Sequence, residues 1–342
     1  MVSCVKLLSL SSTAATSPSL ITTTRSDIFR TSTRSDEMSI NSPELTSEEV
    51  RKKVNAIIEE YNYVPNIVAK NLYNKKSISF ALFVFDMENP FFISLIKELH
   101  RIAFKNGHTL LIFDTESNPE REREYLLYCE AIRTKGIILT EGFDDPTIMQ
   151  KKINQNIVFL DRKVNPNYTT VKSNNKAGVS MLIDYLYNLN HRLFGFAGYG
   201  DNIASTLERK DAFIEALQEK GIEVDPKYIF KGPVTPLTGV QALDYFCSMK
   251  NPPTAVVCGN DQVARGFITR ASKLGLSVPG DFSVVGFDGC NSDYFYPKLT
   301  TIKQDIPKIS EALYNSVFSD NTTPREYIID VSFVMGDTCR KL

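Results

Sequence analysis

The chain lacks the patterns that mark several large function classes. Its six cysteines, Cys4, Cys129, Cys247, Cys258, Cys290 and Cys339, are scattered without a C-x-x-C pair, which argues against a thiolate zinc site or a disulfide framework and suits a reducing cytoplasm. The three histidines, His100, His108 and His191, show no metal-ligand spacing and are expected to pack or face solvent. No metal or other cofactor is expected. No apolar run approaches the ~18–20 residues needed to span a bilayer, so no membrane partner is expected either. Because the formal net charge is only −1, any affinity for nucleic acid must be local. Gly195-Phe196-Ala197-Gly198-Tyr199-Gly200 is G-x-x-G-x-G, not the dinucleotide-binding G-x-G-x-x-G, in which each glycine serves a particular turn or close approach. A G-x-S-x-G nucleophile elbow is also missing. An enzyme is therefore not expected.

What remains has the composition of a globular protein. With 342 residues, of which 42% are hydrophobic and 23% charged, the chain suits two or three compact units. Residues 1–35 stand apart: 16 of them are Ser or Thr and Asp27 is the sole acid, a stretch with no helical apolar period that is expected to be disordered or degraded. Organisation begins at Thr46-Ser47-Glu48-Glu49, a capping box in which hydroxyl and carboxylate satisfy each other's end of the first helical turn. Val50, Val54, Ile57, Ile58 and Tyr61 then form one apolar stripe, and Pro65 is expected to end the helix. A second short helix over Asn66–Leu72 lies in a basic stretch, since residues 62–79 hold three lysines and no acid.

From Ile78 onward, short continuous apolar runs alternate with amphipathic stretches of helical length. Phe80–Phe85, Leu110–Phe113, Gly136–Leu139 and Ile157–Leu160 form one series; Phe194–Ala197, Ala255–Cys258 and Val284–Phe287 form a second. Strands apolar on both faces need helices covering both sides, so the pattern predicts an α/β fold of two Rossmann-like lobes of parallel sheet. A ligand is expected between the lobes, at the carboxyl ends of the strands.

Several segments resemble the lactose/galactose repressor family of transcriptional regulators, whose effector-binding body has the type I periplasmic-binding-protein architecture. Thr46–Arg51 through Tyr63-Val64-Pro65-Asn66 is similar to the last helix of that family's headpiece, and Asn66–Leu72 to its hinge helix. Asp86-Met87-Glu88-Asn89-Pro90-Phe91-Phe92, Glu208–Phe213, Cys258-Gly259-Asn260-Asp261, Val278-Pro279-Gly280-Asp281, Val285-Gly286-Phe287-Asp288 and Leu299-Thr300-Thr301-Ile302 follow in the family's order and approximate spacing over residues 41–342. Residues 21–40 depart from it. They occupy the place of the helix-turn-helix without its pattern, and Asp36 and Glu37 stand where a recognition helix would face phosphates. The expected organisation is thus a leader over 1–40 that replaces most of the reading head, from a shifted frame or a misassigned start. A remnant all-α headpiece and hinge helix over 41–77 and a two-lobed effector-binding and dimerisation body over 78–342 follow.

The resemblance implies roles for particular residues. In the hinge, Leu72 matches a side chain that wedges into the DNA minor groove, with Val68, Ala69 and Lys70 beside it. In the body, Asp161 and Asp288 are expected to accept from effector hydroxyls, Arg209 and Asn260 to donate, and Phe91 or Phe92 to cover an apolar face, with Asp86 and Asn89 as lesser candidates. Specificity is expected in the Gly200–Glu208 loop and around Val234. The implied partners are operator DNA, a sugar or sugar-acid effector, and a second copy in a homodimer. The implied function is a repressor of carbohydrate-metabolism genes. A sugar-binding protein of the periplasmic-receptor type, or a regulator with defective DNA binding, is the competing expectation.

Overall fold

The computed structural model describes residues 48–62, 78–140, 155–161, 168–200, 203–290, 296–320 and 323–342. The chain divides into two units, one ending at Lys75 and one beginning at Lys76. In the first, helix α1 spans Glu48–Glu60, with Ile57 and Ile58 half-buried. It stops before Pro65: Asn62, with φ +45°, takes the left-handed conformation that closes helices, and its amide bonds Glu59 O at 3.2 Å. Thr46 of the capping box and the hinge residues Val68, Ala69, Lys70 and Leu72 lie outside the described residues.

The second unit holds two six-stranded sheets. The first takes β1 (Ser79–Val84), β2 (Thr109–Asp114), β3 (Gly136–Leu139), β4 (Asn156–Leu160), β5 (Thr169–Ser173) and β11 (Glu326–Ile329), in the order β2-β1-β3-β4-β5-β11, all parallel. The second repeats that order with β6 (Phe194–Ala197), β7 (Ile229–Phe230), β8 (Ala255–Cys258), β9 (Ser283–Asp288) and β10 (Thr300–Gln304), closed by the antiparallel β12 (Val331–Val334). All seven expected strand segments are strands. The inner strands are buried by helices on both sheet faces, as with β3 and β8, every residue of which is buried, whereas β2 at the sheet edge is part-exposed.

Helix starts in the first lobe follow from sequence. Asn89 before α2 (Pro90–Lys105) and Asn118 before α3 (Pro119–Ala131) each cap a free amide with the side chain, and the proline that follows has no amide to satisfy. Between the strands of the second lobe run α4 (Asn175–Asn188), α5 (Ala204–Gln218), α6 (Pro236–Cys247) and α7 (Asp261–Lys273). Helix α8 (Ile306–Phe318) returns to the first lobe, where Tyr314 and Phe318 pack edge-on against Phe80 with ring centroids 5.8 and 5.5 Å away. The lobes are therefore not two consecutive halves of the chain. Three crossings join them, after Ser173, after Gln304 and after Ile329.

Two histidines serve this packing. His108 stacks on Phe318 at 4.0 Å and shares a 2.6 Å hydrogen bond with Tyr314, while buried His191 bonds Thr254 Oγ1 and Arg340 O, anchoring the C-terminal segment. Among the described residues, no helix is long and apolar enough to cross a membrane.

Candidate effector-binding site

The carboxyl ends of both sheets face one cavity with about 390 Å³ of empty space, part of it open to solvent. All six residues expected to touch an effector line it: Phe91, Phe92, Asp161, Arg209, Asn260 and Asp288. Asp161 follows β4 and Asp288 ends β9, one from each lobe, and both hold positive φ, +53° and +126°. A non-glycine residue in that region is strained by about 1–3 kcal/mol, a cost that clusters at functional sites.

Arg209 projects from α5 and is 3% exposed. Its Nε donates to Asn175 Oδ1 at 2.9 Å and its Nη1 to Gly259 O at 2.8 Å; Nη1 also lies 3.5 Å from Asp288 Oδ1. The guanidinium lies 3.7 Å from the ring centroid of Phe287, so an aromatic face and fixed acceptors orient its remaining donors. Burial pushes the Asp161 and Asp288 carboxyls up to about 6, against the opposing pull of Arg209 on each. Deprotonated, the pair outnumbers the single guanidinium, while the N-termini of α2, α5 and α7 at the cavity wall supply partial positive charge.

The other expected residues divide by role. Asn260 is the N-cap of α7: its Oδ1 accepts from Val263 N at 2.9 Å and its Nδ2 donates to Val234 O at 3.2 Å, so much of its capacity builds the wall. Phe91 and Phe92 pack edge to face with centroids 5.3 Å apart, and Phe92 meets Phe85 at 5.0 Å, giving an apolar side of three rings. Asn89 lines the cavity, as do Ile203, Ser205 and Thr206 of the expected specificity loop and Val234. Asp86 does not; its carboxylate accepts from Glu88 N and turns the loop. Sequence reasoning missed Phe85, Thr140, Leu160 and Gln304. Leu160 directly precedes Asp161 and so was within reach, whereas nothing local marks Gln304, which reaches the cavity as the last residue of β10 beside β9.

Residues 183–339 match the periplasmic binding protein-like domain family. The HTH-type transcriptional repressor PurR of Serratia proteamaculans is 30% identical over 293 residues, 84% of this chain and 86% of that protein. The chain belongs to the lactose/galactose repressor family of transcriptional regulators. The family fold is equally evident in solved structures. A putative LacI transcriptional regulator from Bacillus cereus subsp. cytotoxis superposes with TM-score 0.72 at 23% identity over 78% of this chain and all of that one. A LacI-family regulator from Enterococcus faecium with bound ribose gives TM-score 0.69 at 22% identity over 77% and 99%. The relatives are regulators, not enzymes.

Proposed function

We propose that this repressor-family chain controls carbohydrate-metabolism genes by binding operator DNA as a homodimer, under the control of a sugar or sugar acid held between its lobes. The observation that carries the reading is the pair of carboxylates, Asp161 and Asp288, facing one fixed guanidinium, Arg209, in a cavity walled on another side by phenylalanines. Hydroxyl groups need such acceptors and donors, and a pyranose or furanose ring offers an apolar face to the aromatic side. With two acids to one base, the balance favours a neutral sugar over an acid or a phosphate ester.

A thermal-shift screen of pentoses, hexoses, disaccharides, sugar acids and sugar phosphates tests this. A neutral sugar at about 100 times its Kd should stabilise the folded state by ~2.7 kcal/mol. Stabilisation by sugar phosphates alone would count against the charge argument, and a flat response to the whole panel against the sugar reading.

Dimerisation finds support at the β2 edge of the first sheet, where Ile93 and Phe104 of α2, Ile112 of β2, and Leu127 and Tyr128 of α3 leave apolar surface exposed, Phe104 at 81%. Sedimentation velocity at micromolar concentration reads this directly, and a monomer contradicts it.

For DNA, the resemblance assigns the minor-groove wedge to Leu72 and flanking contacts to Val68, Ala69 and Lys70. Leu72→Ala should weaken specific operator binding by tenfold or more in a mobility-shift titration, since without the wedge nothing holds open a base step whose unstacking costs a few kcal/mol, and the contacts that the bend permits are lost. A second reading, a ligand-binding regulator that no longer grips operator, is favoured by the missing helix-turn-helix pattern over 21–40. Operator affinity unchanged by Leu72→Ala would make the segment a simple linker, and no specific operator binding by the parent chain favours that second reading.

A further inference from the structure

The two cavity carboxylates belong to different lobes, yet hydrogen bonds through the crossing strands connect them. Asp161 Oδ1 accepts from the backbone amide of Ser173 at 3.4 Å. Ser173 Oγ donates to Gln304 Oε1 at 2.5 Å, and Gln304 Nε2 donates to Asp288 Oδ1 at 2.8 Å. Ser173 is the last residue of β5 and Gln304 the last of β10, so each directly precedes a passage of the chain from one lobe to the other. Both side chains are nearly inaccessible, Ser173 at 1% and Gln304 at 2% exposure.

We propose that Ser173 and Gln304 are positioning residues, a relay that fixes Asp288 for its ligand and ties it to the crossings on which the lobes turn. A carboxamide has a donor end and an acceptor end, and only the donor end suits an ionised carboxylate. Ionised Asp288 calls for Nε2, and the Ser173 hydroxyl reinforces that orientation by giving its hydrogen to Gln304 Oε1. The flipped amide would set its carbonyl oxygen against Asp288 and deprive the buried hydroxyl hydrogen of this acceptor, the kind of loss that is costly away from water. Because the Ser173–Gln304 bond runs from one sheet to the other, a rotation at the crossings alters the donor seen by Asp288. Occupancy of Asp288 by a ligand is felt at the crossings by the same path, as reciprocity requires.

Asp288 is the acceptor at the far end, so its titration reports the relay; Arg209 of α5, Asp261 and Arg265 of α7, and Asp161 also act on its charge and are common to every variant compared. Aspartate carboxyl carbons labelled with carbon-13 in the full chain can be followed by NMR from pH 4 to 9, with Asp288→Asn identifying the signal. Gln304→Met removes the donor while keeping much of the volume, and the Asp288 midpoint should rise by about one pH unit, as expected for losing a hydrogen bond to the charged form. Ser173→Ala leaves Gln304 in place but frees its amide to turn, and the midpoint should rise in the same direction by about half as much. An Asp288 midpoint in Ser173→Ala equal to that of the parent protein overturns the proposal, and Ser173→Ala decides alone if Gln304→Met does not fold. A merely packing role for Ser173 would lower stability without moving this midpoint. The relay's consequence for effector control rests on the reading of the cavity given above; the titration uses unliganded protein, so it stands or fails independently of what the cavity binds.

Discussion

Arg209→Ala is expected to abolish stabilisation by any sugar that stabilises the parent protein and to cost the unliganded protein about 3–5 kcal/mol near pH 8, the range for removing one partner of a buried ion pair. The loss has named parts: the bonds to Asn175 and Gly259, the contact over Phe287, and a guanidinium nitrogen 3.5 Å from Asp288 Oδ1. Its pH dependence distinguishes this cost from a simple cavity. With Arg209 present, burial already pushes Asp288 up to about 6, well above the ~3.9 of an unfolded aspartate. Without Arg209 the folded value must go higher. A carboxyl that holds its proton more tightly in the folded state contributes stability that is fully present below pH ~4 and is lost as the pH rises through the folded value. The variant should therefore recover much of its Tm between pH 8 and pH 5. A deficit of equal size at both pH values would show that lost packing, not an unpaired carboxylate, is responsible. Arg209→Lys should restore the charge without the planar fork, and so recover stability more fully than sugar binding.

Gly259→Ala should be among the most damaging small substitutions in the second lobe, lowering its stability by about 3 kcal/mol or more. A Cβ at this position would lie 1.8 Å from Gly198 O and 3.0 Å from Gly198 C. Those atoms are backbone, held by the 2.7 Å bond from Gly259 N to Ala197 O and by pairing of β6 with β8, so no side chain can rotate away. Gly198, at φ +89°, occupies a conformation that would strain any replacement there. Gly107→Ala is the useful contrast: its added Cβ meets nothing within 4 Å, leaving only the strain of φ +68°, about 1–2 kcal/mol. Denaturant unfolding of both variants measures the difference. Equal losses would mean that the close approach of the two strand ends is not rigid. Because Gly259 O also accepts from Arg209, Gly259→Ala should weaken sugar binding as well.

Much of this protein was legible along the chain. Continuous apolar runs such as Phe80–Val84 and Val284–Phe287 can be satisfied only by helices on both faces, which determined the α/β class and the doubled sheet. Asn89-Pro90 and Asn118-Pro119 marked helix starts because cap and proline act within one turn. The six candidate effector residues came from the family resemblance; each stands at a strand end or in the opening turns of a helix, and the structure places all six on one cavity.

What tertiary structure alone decided is non-local. Strand β5, Thr169-Thr170-Val171-Lys172-Ser173, is polar in composition, and β11 and β12 are part-buried; they become strands because an existing sheet edge offers them hydrogen bonds, not because of their own pattern. The second and third crossings follow from that, since β11 and β12 each add to the free edge of one sheet. Gln304 meets Asp288, 16 residues earlier, through the pairing of β10 with β9, and meets Ser173, 131 residues earlier, only because the two sheets are packed end to end at the cavity. Hydrophobic period and capping are determined within a few residues; a polar contact between distant segments is determined only when the packed sheets have fixed where both ends lie.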